Sequence, residues 1–569
     1  MATVSGEFGQ LTTERDRGLS RSDLRRARQL LESDGRLDQF ALELGLATEI
    51  DALHSIGEAL GLEVVDVGEL DVKATLLQDF PVRLIHRHTL FPIGRTHTTL
   101  QVVVGNPFDV QAIDAIGAAT GLSVTPVMAL PREVASLIKS HLGLGANTVD
   151  GLIAQTDDSE DIEIIGGLDF DETEAAQMAQ QASVVRLVND ILTEAVEARA
   201  SDIHLEAFAG GINIRYRVDG VLQLQRVPPE INRFQAAIVS RLKIMSKMNI
   251  AEKRVPQDGR IELRVSGREI DIRVSVIPML HGEGVVMRIL DKNAMSFSLQ
   301  GIGMEEDTYA SFRQLIRQPH GILLVTGPTG SGKTTTLYSS LAEIKSERTK
   351  IITTEDPIEY QLDGINQIQV HSKVGLTFAA SLRSILRHDP DVVLVGEIRD
   401  FETAENAVQA ALTGHMVFST LHTNDAAGAF MRLADMGVEP FLVSSTLEGV
   451  MAQRLVRTLC TECRQPYMPS HDEVPADFPI DEFTADSPIY QARGCRACRG
   501  TGYSGRLGIY ELLVSGDEIR HLANERKASN LIKKAAIATG MRTLRQDGWI
   551  KVARGQTSID EVLRVTKAD

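Results

Sequence analysis

The segment Gly327-Pro328-Thr329-Gly330-Ser331-Gly332-Lys333-Thr334 constrains this chain more than any other. It fits the pattern G-x-x-x-x-G-K-[ST]. It follows the apolar run Ile322-Leu323-Leu324-Val325 and precedes a helix-forming stretch from about Thr335. Glycines let the backbone curl until successive N–H groups face inward, where they can hold phosphate oxygens. The start of a helix adds its partial positive charge. The spacing predicts Lys333 on the β- and γ-phosphates and the Thr334 hydroxyl on Mg²⁺. The residues expected to line the nucleotide are Gly327, Pro328, Thr329, Gly330, Ser331, Gly332, Lys333, Thr334 and Thr335. A glycine-rich turn that binds nothing is the alternative. The strand, loop and helix context and the Lys-Thr pair argue against it.

A phosphate loop of this kind belongs at the end of a parallel strand. From about residue 297 the pattern alternates strand and helix, with strand candidates Ile322–Thr326, Ile351–Thr354, Val392–Val395 and Met416–Ser419. That alternation implies a parallel sheet with crossover helices. Ligands collect at the C-terminal ends of such strands. Glu397 closes the apolar run from Val392, so it is a candidate for binding Mg²⁺ through water or for polarising the attacking water. Thr354-Glu355-Asp356-Pro357-Ile358-Glu359 ends another strand with three acids. Beside Mg²⁺ and a water, such a cluster can supply a general base. His415 and His422 flank the last strand. A lone histidine is more often a structural hydrogen-bonder, but His422 stands where the strand leaves the sheet, and is a candidate γ-phosphate sensor.

The chain has 569 residues, which points to three or more domains. Residues 1–145 read as an N-terminal partner-binding region. Its first 45 residues are helix-prone, with a basic stretch at Arg21–Arg28 best taken as a solvated face. Leu100–Val104 reads as a strand, Asn106-Pro107 as a turn and Val134–Leu142 as a helix. No catalytic constellation appears there. Residues 146–176 are rich in Asp and Glu and contain no Lys or Arg. Like charges repel, so this stretch reads as a flexible acidic linker. Residues 177–296 read as a second domain. A helix spans about Gln181–Ala200, strands follow at Ile203–Glu206, Ile212–Val218 and Val221–Leu224, and alternation covers Arg260–Val276. Asp219-Gly220 signals a hairpin.

The formal net charge of −18 argues against nucleic acid as a partner, because phosphate backbones select clustered Lys and Arg. No run of 18 apolar residues and no secretory signal are seen, so the expected location is cytoplasmic, with any membrane role exercised through partners. The only four cysteines are Cys460, Cys463, Cys495 and Cys498, in two C-x-x-C pairs. Two such turns can close a tetrahedral Zn²⁺ site with no open position, which makes the metal structural. Free thiols or a redox pair are the alternative.

These segments together resemble the secretion ATPases of the type II secretion and type IV pilus superfamily. Gly327–Thr334 resembles the family's Walker A loop, and Thr354–Tyr360 its Asp box. Asp389-Pro390-Asp391 through Asp400 resembles its Walker B segment. Thr413-Gly414-His415 through Asn424 resembles its His box, and Ala452–Cys460 also follows the family pattern. The likeness runs from about residue 180 to the C-terminus. Ala380 and His388 stand where the family often has Arg and Gln. The resemblance implies an α/β multidomain fold. Its RecA-like ATPase core spans 297–569, with an inserted zinc module at 457–506 and a helical part at 507–569. A PAS-like domain and a small N-terminal α/β domain precede the core.

By the same resemblance, Glu355 is the general base, Glu397 assists Mg²⁺ and His422 senses the γ-phosphate. A homo-hexamer with ATP between subunits or domains is implied, with Arg217, Arg260 and Arg273 as candidates to reach the phosphates. Strand arginines that merely line a solvated face are the alternative for each. The implied partners are inner-membrane secretion proteins, namely the cytoplasmic domain of a bitopic platform protein and a polytopic platform protein. The implied activity is ATP hydrolysis powering type II secretion, with pilus extension as the alternative.

Overall fold

The structure is a computed structural model. It describes residues 19–567 apart from 34–36, 71, 73, 78–79, 81–83, 86–87, 143–161, 165–181, 266, 292–296 and 481–487. The chain divides into two compact units, Met1–Ile289 and Leu290–Asp569. Among the described residues no helix is long and apolar enough to cross a membrane.

In the first unit, helices Arg21–Ser33, Asp38–Glu43 and Glu49–Leu60 bury Ala27, Leu37, Phe40, Leu53 and Ile56 between them. The arginines of the basic stretch, Arg21, Arg25, Arg26 and Arg28, lie on the exposed side of the first helix. Thr48 and Asp51 cap the third helix reciprocally. A small sheet follows, with β1 (Leu90–Arg95) antiparallel to β2 (Thr99–Val104) and β2 parallel to β3 (Ser123–Met128). The helix Val110–Thr120 makes the crossover between β2 and β3, and the helix Pro131–Leu142 follows β3. The expected strand and helix of this region lie inside β2 and Pro131–Leu142.

The acidic stretch 146–176 falls outside the described residues except at β4 (Ile162–Ile164), which pairs antiparallel with β8 (Gln257–Val265). An isoleucine–acid–isoleucine alternation suits an edge strand despite the surrounding charge. The larger sheet of this unit runs in the order β4-β8-β9-β10-β5-β6-β7. It contains β5 (Ala200–Phe208), β6 (Gly211–Val218), β7 (Val221–Leu224), β9 (Arg268–Met279) and β10 (Gly282–Asp291). Asp219-Gly220 joins β6 to β7 as a hairpin. The helices Ala182–Glu197 and Gln235–Met245 cover one face and share a core with Ile203, Ile214, Ile261 and Ile272. The Tyr216 hydroxyl, buried in that core, donates to the Ile191 carbonyl at 2.9 Å.

The second unit is built on β11 (Gly321–Thr326), β12 (Ile351–Glu355), β13 (Asn366–Gln369), β14 (Val392–Val395), β15 (Met416–Leu421) and β16 (Leu447–Leu459). Past β17 (Gln465–Tyr467) and β18 (Ile489–Gln491), which pair as a ribbon, comes β19 (Tyr503–Val514). The sheet order is β13-β12-β14-β15-β11-β16-β19. All neighbours are parallel except β16 and β19. Every residue of β11, β12, β14 and β15 is buried, as expected for strands with helices on both faces. Successive residues alternate between two cores. Ile322, Leu324, Val393, Val395, Val417 and Leu421 face one layer. Leu323, Val325, Val392, Leu394, Met416 and Phe418 face the other, which also holds Leu337 and Leu341 of the helix Lys333–Ile344.

A buried ion cluster ties the start of this unit to its C-terminal helices. Lys551, on the helix Leu544–Ala553, donates to the Gly303 carbonyl at 2.7 Å and to Glu305, and Arg554 meets Glu305 at 2.7 Å. Removing one partner of a buried pair leaves the other charge without compensation. Glu305→Gln is therefore expected to lower the stability of this unit by about 3–5 kcal/mol in urea denaturation. A loss below about 1 kcal/mol would show that the pair contributes little.

Candidate functional site

The phosphate loop leaves the sheet at β11, which is paired on both edges, with β15 and with β16. Thr326, the last residue of β11, fixes the exit. Its hydroxyl meets the Thr423 hydroxyl at 2.7 Å and accepts from the Thr423 N–H at 2.9 Å. Two glycines of the loop are demanded by geometry. Gly327 has φ +149, and a Cβ there would lie 2.5 Å from the Gln453 carbonyl oxygen. Gly332 has φ +89, and its Cβ would lie 2.7 Å from Gln453 Nε2. Gly332 is also the N-cap of the helix Lys333–Ile344, and no side chain caps that end. The first N–H groups of that helix thus remain available to an anion. Pro328, Thr329, Gly330 and Ser331 complete the curl, and Thr334 and Thr335 stand on the first helical turn.

Lys333 Nζ donates to the carbonyls of Gly327 at 2.8 Å and Pro328 at 3.0 Å. Burial, opposed by the Glu397 charge and reinforced by Arg454, brings its ammonium down to about 8. Glu397 follows β14 and carries the facing negative charge. It pairs with Arg399, and its other oxygen lies 3.4 Å from His422 Nε2. His422 follows β15 and is half exposed, whereas His415, at the other end of that strand, is tied to the Ala410 carbonyl at 2.9 Å. The sheet thus brings Lys333, Glu397 and His422 to one end.

Glu355 ends β12 at the same edge and is buried. It accepts from the hydroxyls of Tyr338 and Thr353 and from Gln367 Nε2 at 3.1 Å. Burial, with the charge of Glu355 adding to it, pushes the Tyr338 phenol well above its usual range, so it stays a donor. Tyr338, Tyr360 and Phe297 pack edge to face around this group.

Arg217, Arg260 and Arg273 belong to the first unit, whereas the site just described is built from the second alone. Each lies on a strand of the larger sheet. Arg217 stands 3.6 Å from Asp202, on the neighbouring strand. Arg260 makes a two-pronged pair with the buried Asp271, both contacts at 2.6 Å, and lies opposite Arg273 in the ladder. An arginine held in such a fork is oriented as well as neutralised.

The four cysteines meet at the base of the β17–β18 ribbon, with all four sulfurs within 4.8 Å of one another. Three of the separations are 3.9, 3.8 and 3.8 Å. A tetrahedron of thiolates at a metal–sulfur distance of about 2.3 Å has edges of roughly 3.8 Å, whereas a disulfide needs about 2.05 Å. The donor set fits a tetrahedral metal. Burial opposes ionisation of Cys498, but the N–H groups of Cys495 and Gly502, each 3.1 Å from its sulfur, outweigh that and bring the thiol down to about 6. The module is clamped from outside: Arg457 stacks on Tyr503 and pairs with the buried Glu561 at 2.7 Å.

Sequence reasoning assigned no role to Tyr338, Gln367, Arg399, Gln453 or Arg454. The signal for the last two was present, since a Gln-Arg pair interrupts an apolar run from Val450 to Val456. For Tyr338 and Gln367 no local pattern points to Glu355; only the fold places them beside it.

Because Gly332 needs a left-handed backbone and has no room for a Cβ, Gly332→Ala is expected to lower nucleotide affinity by roughly tenfold or more. Fluorescent-nucleotide titration on protein with an unchanged melting transition checks this, and unaltered affinity would contradict the assigned loop geometry.

Residues 177–564 match the family described as Type II/IV secretion system protein, and residues 60–148 match the MshEN domain. The chain is 46% identical, over 97% of both chains, to type II secretion system protein E of Xanthomonas campestris pv. campestris. It is 39% identical over the full length of both chains to the type IV pilus assembly ATPase PilB of Myxococcus xanthus. Among solved structures, the Legionella pneumophila ATPase DotB aligns with a TM-score of 0.50 at 23% identity, covering 67% of this chain and 95% of that one, a likeness of fold. With its phosphate loop, strand-end acids and four-cysteine module inside the matched region, the chain belongs to the type II/IV secretion system protein family.

Proposed function

We propose that this protein is a Mg²⁺-dependent ATPase that powers protein secretion through a type II secretion system. The observation that carries the reading is the meeting of Lys333, Glu397 and His422 at the C-terminal edge of β11, β14 and β15, beside an uncapped helix start. Residues 327–335 hold the phosphates. Lys333 releases the loop carbonyls and turns to the β- and γ-phosphates, whose charge compensates its burial. Thr334 and Glu397 would hold Mg²⁺, which would supply positive charge beside the transferring phosphoryl group. His422, leaning on Glu397, stands where the γ-phosphate ends.

Glu355 is the general base. Its carboxylate has about four acceptor lone pairs, and three are taken by Tyr338, Thr353 and Gln367. The remaining one serves the attacking water, and the three donors hold the group in register for it. Arg217 and Arg260, oriented by their acidic neighbours, and Arg273 approach the phosphates in a homo-hexamer, where an added arginine contributes ~10³–10⁵ in rate in other nucleotide hydrolases.

Cys460, Cys463, Cys495 and Cys498 would hold Zn²⁺, and four thiolates would give it a structural role. The protein works in the cytoplasm and reaches the inner membrane through platform proteins, with no nucleic acid involved. Its N-terminal residues 1–145 bind partners, and 146–176 link them to the motor. Pilus extension is the second reading, supported by the full-length likeness to a pilus assembly ATPase; higher identity to the secretion relative favours secretion.

Lys333→Ala is expected to abolish ATP turnover with the melting transition retained, and wild-type hydrolysis in that variant would overturn the site. Deletion of the gene, scored for secreted enzymes and for surface pili, separates the two readings. Elemental analysis of freshly purified protein is expected to find about one zinc per chain, and stripping it with a chelator should loosen the module between β16 and β19. Absence of zinc in undenatured protein would contradict the four-thiolate site.

A further inference from the structure

Gln453 and Arg454 lie on β16 just past its last pairing with β11, where Ala452 stands opposite Thr326. Gln453 is buried and accepts from the Thr336 hydroxyl at 2.7 Å, so it packs the phosphate-loop helix against β16. Arg454 reaches the other way. Its Nη1 donates to the Gln453 carbonyl at 3.0 Å and its Nη2 to the Asn424 carbonyl at 2.9 Å. That Nη1 also stands 3.1 Å from where a Cβ on Gly327 would lie. A single guanidinium therefore spans from the first residue of the phosphate loop to the loop that carries His422.

Its neutralisation differs from that of several arginines of this unit. Arg399, Arg457 and Arg520 each pair directly with a carboxylate. Among the described residues no carboxylate comes within ion-pair distance of Arg454, and its hydrogen-bond acceptors are two backbone carbonyls. Asp425 and Glu511 are felt only at longer range. Both are otherwise engaged, Asp425 with the Gly428 N–H and Glu511 with the Ala426 N–H. A half-buried cation with neutral partners carries an uncompensated desolvation cost that a nearby polyanion offsets. The second cation here is Lys333, close enough for Arg454 to depress its ammonium. The two converge on the loop that would hold the phosphates.

We propose that Arg454 is a positioning residue for ATP hydrolysis, holding the His422 loop against the start of the phosphate loop and making the site sensitive to the extra charge of a triphosphate over a diphosphate. This rests on the nucleotide site proposed above. A γ-phosphate at the ends of β11, β14 and β15 adds charge on the side where Arg454 meets Asn424, and a planar guanidinium can keep both carbonyls while answering that charge. A lysine would supply the charge without the fork.

The test uses full-length, zinc-containing protein with Arg454→Gln and Arg454→Lys, measuring kcat, KM and the equilibrium affinities for Mg²⁺-ATPγS and Mg²⁺-ADP. For Arg454→Gln the expectation is a loss of about tenfold or more in ATPγS affinity and in kcat, with ADP affinity changed less than about threefold. For Arg454→Lys, ATPγS affinity returns to within about threefold of wild type while kcat stays depressed about tenfold. Equal loss for both nucleotides in Arg454→Gln, or an unchanged ATPγS-to-ADP ratio, overturns the proposal. If Arg454→Gln lacks a melting transition, Arg454→Lys decides, and a wild-type kcat in it overturns the proposal. Wild-type protein that binds neither nucleotide would instead overturn the nucleotide site itself.

Discussion

Strand β11 is hydrogen-bonded along both edges and buried on both faces, and the rest of the site depends on that confinement. A strand in the middle of a parallel sheet cannot slide by one residue without turning Ile322 and Leu324 out of one core and Leu323 and Val325 out of the other. The point at which the chain leaves the sheet is therefore set, and the phosphate loop begins there. Thr326 adds a directional lock by joining that exit to Thr423, just past β15. The helix that follows β11 leads to β12, three places away in the sheet, so the crevice opens between elements that diverge.

Charge at this crevice is organised by strand order. Lys333, Glu397, His422 and Glu355 come from four strands or from the segments just after them, and they meet because β11, β15, β14 and β12 are consecutive in the sheet. Glu397 faces the lysine, pairs with Arg399 and meets the His422 imidazole, so one carboxylate balances two cations. Glu355 is held differently, by neutral donors in a buried pocket with an aromatic wall. A carboxylate supported by neutral donors keeps its orientation without a cation paired to it.

The long antiparallel pair β16–β19 gives the second unit its other axis. Near its middle Gln453 and Arg454 touch the phosphate-loop region; at its far end β16 runs into Cys460, and β19 emerges a few residues after Cys498. The cysteine module is thus an insertion between two paired strands of the nucleotide-binding sheet. Glu561, held well below its usual range against burial by Arg564 and Arg457, fastens the last helix to the same strands.

Much of this was legible from residues alone. The phosphate loop, the strands at 322–326, 351–354, 392–395 and 416–419, the hairpin at Asp219-Gly220 and the cysteine pairs all carry local patterns: a fixed spacing, a continuous apolar run, a turn dipeptide. Strands such as β10, β13, β16 and β19 were not among those expected, and β19 runs into the stretch 507–569 expected to be helical: Ile368 is the lone apolar residue of β13, and Arg288, Gln453-Arg454 and Arg506 interrupt the apolar residues of the others. The partners of Glu355, the bridge from Arg454 to Asn424 and the ion cluster at Glu305 escaped for another reason. Tyr338 is 17 positions from Glu355, Asn424 is 30 from Arg454 and Arg554 is 249 from Glu305, and no local pattern encodes a contact at such separations. The sequence by itself determined the type of chemistry, because phosphate and metal binding demand particular residues at particular spacings. Only the tertiary structure decided which acid faces Lys333, which groups hold Glu355 and which arginine is left beside the phosphate loop without a carboxylate, because those depend on strand order and burial.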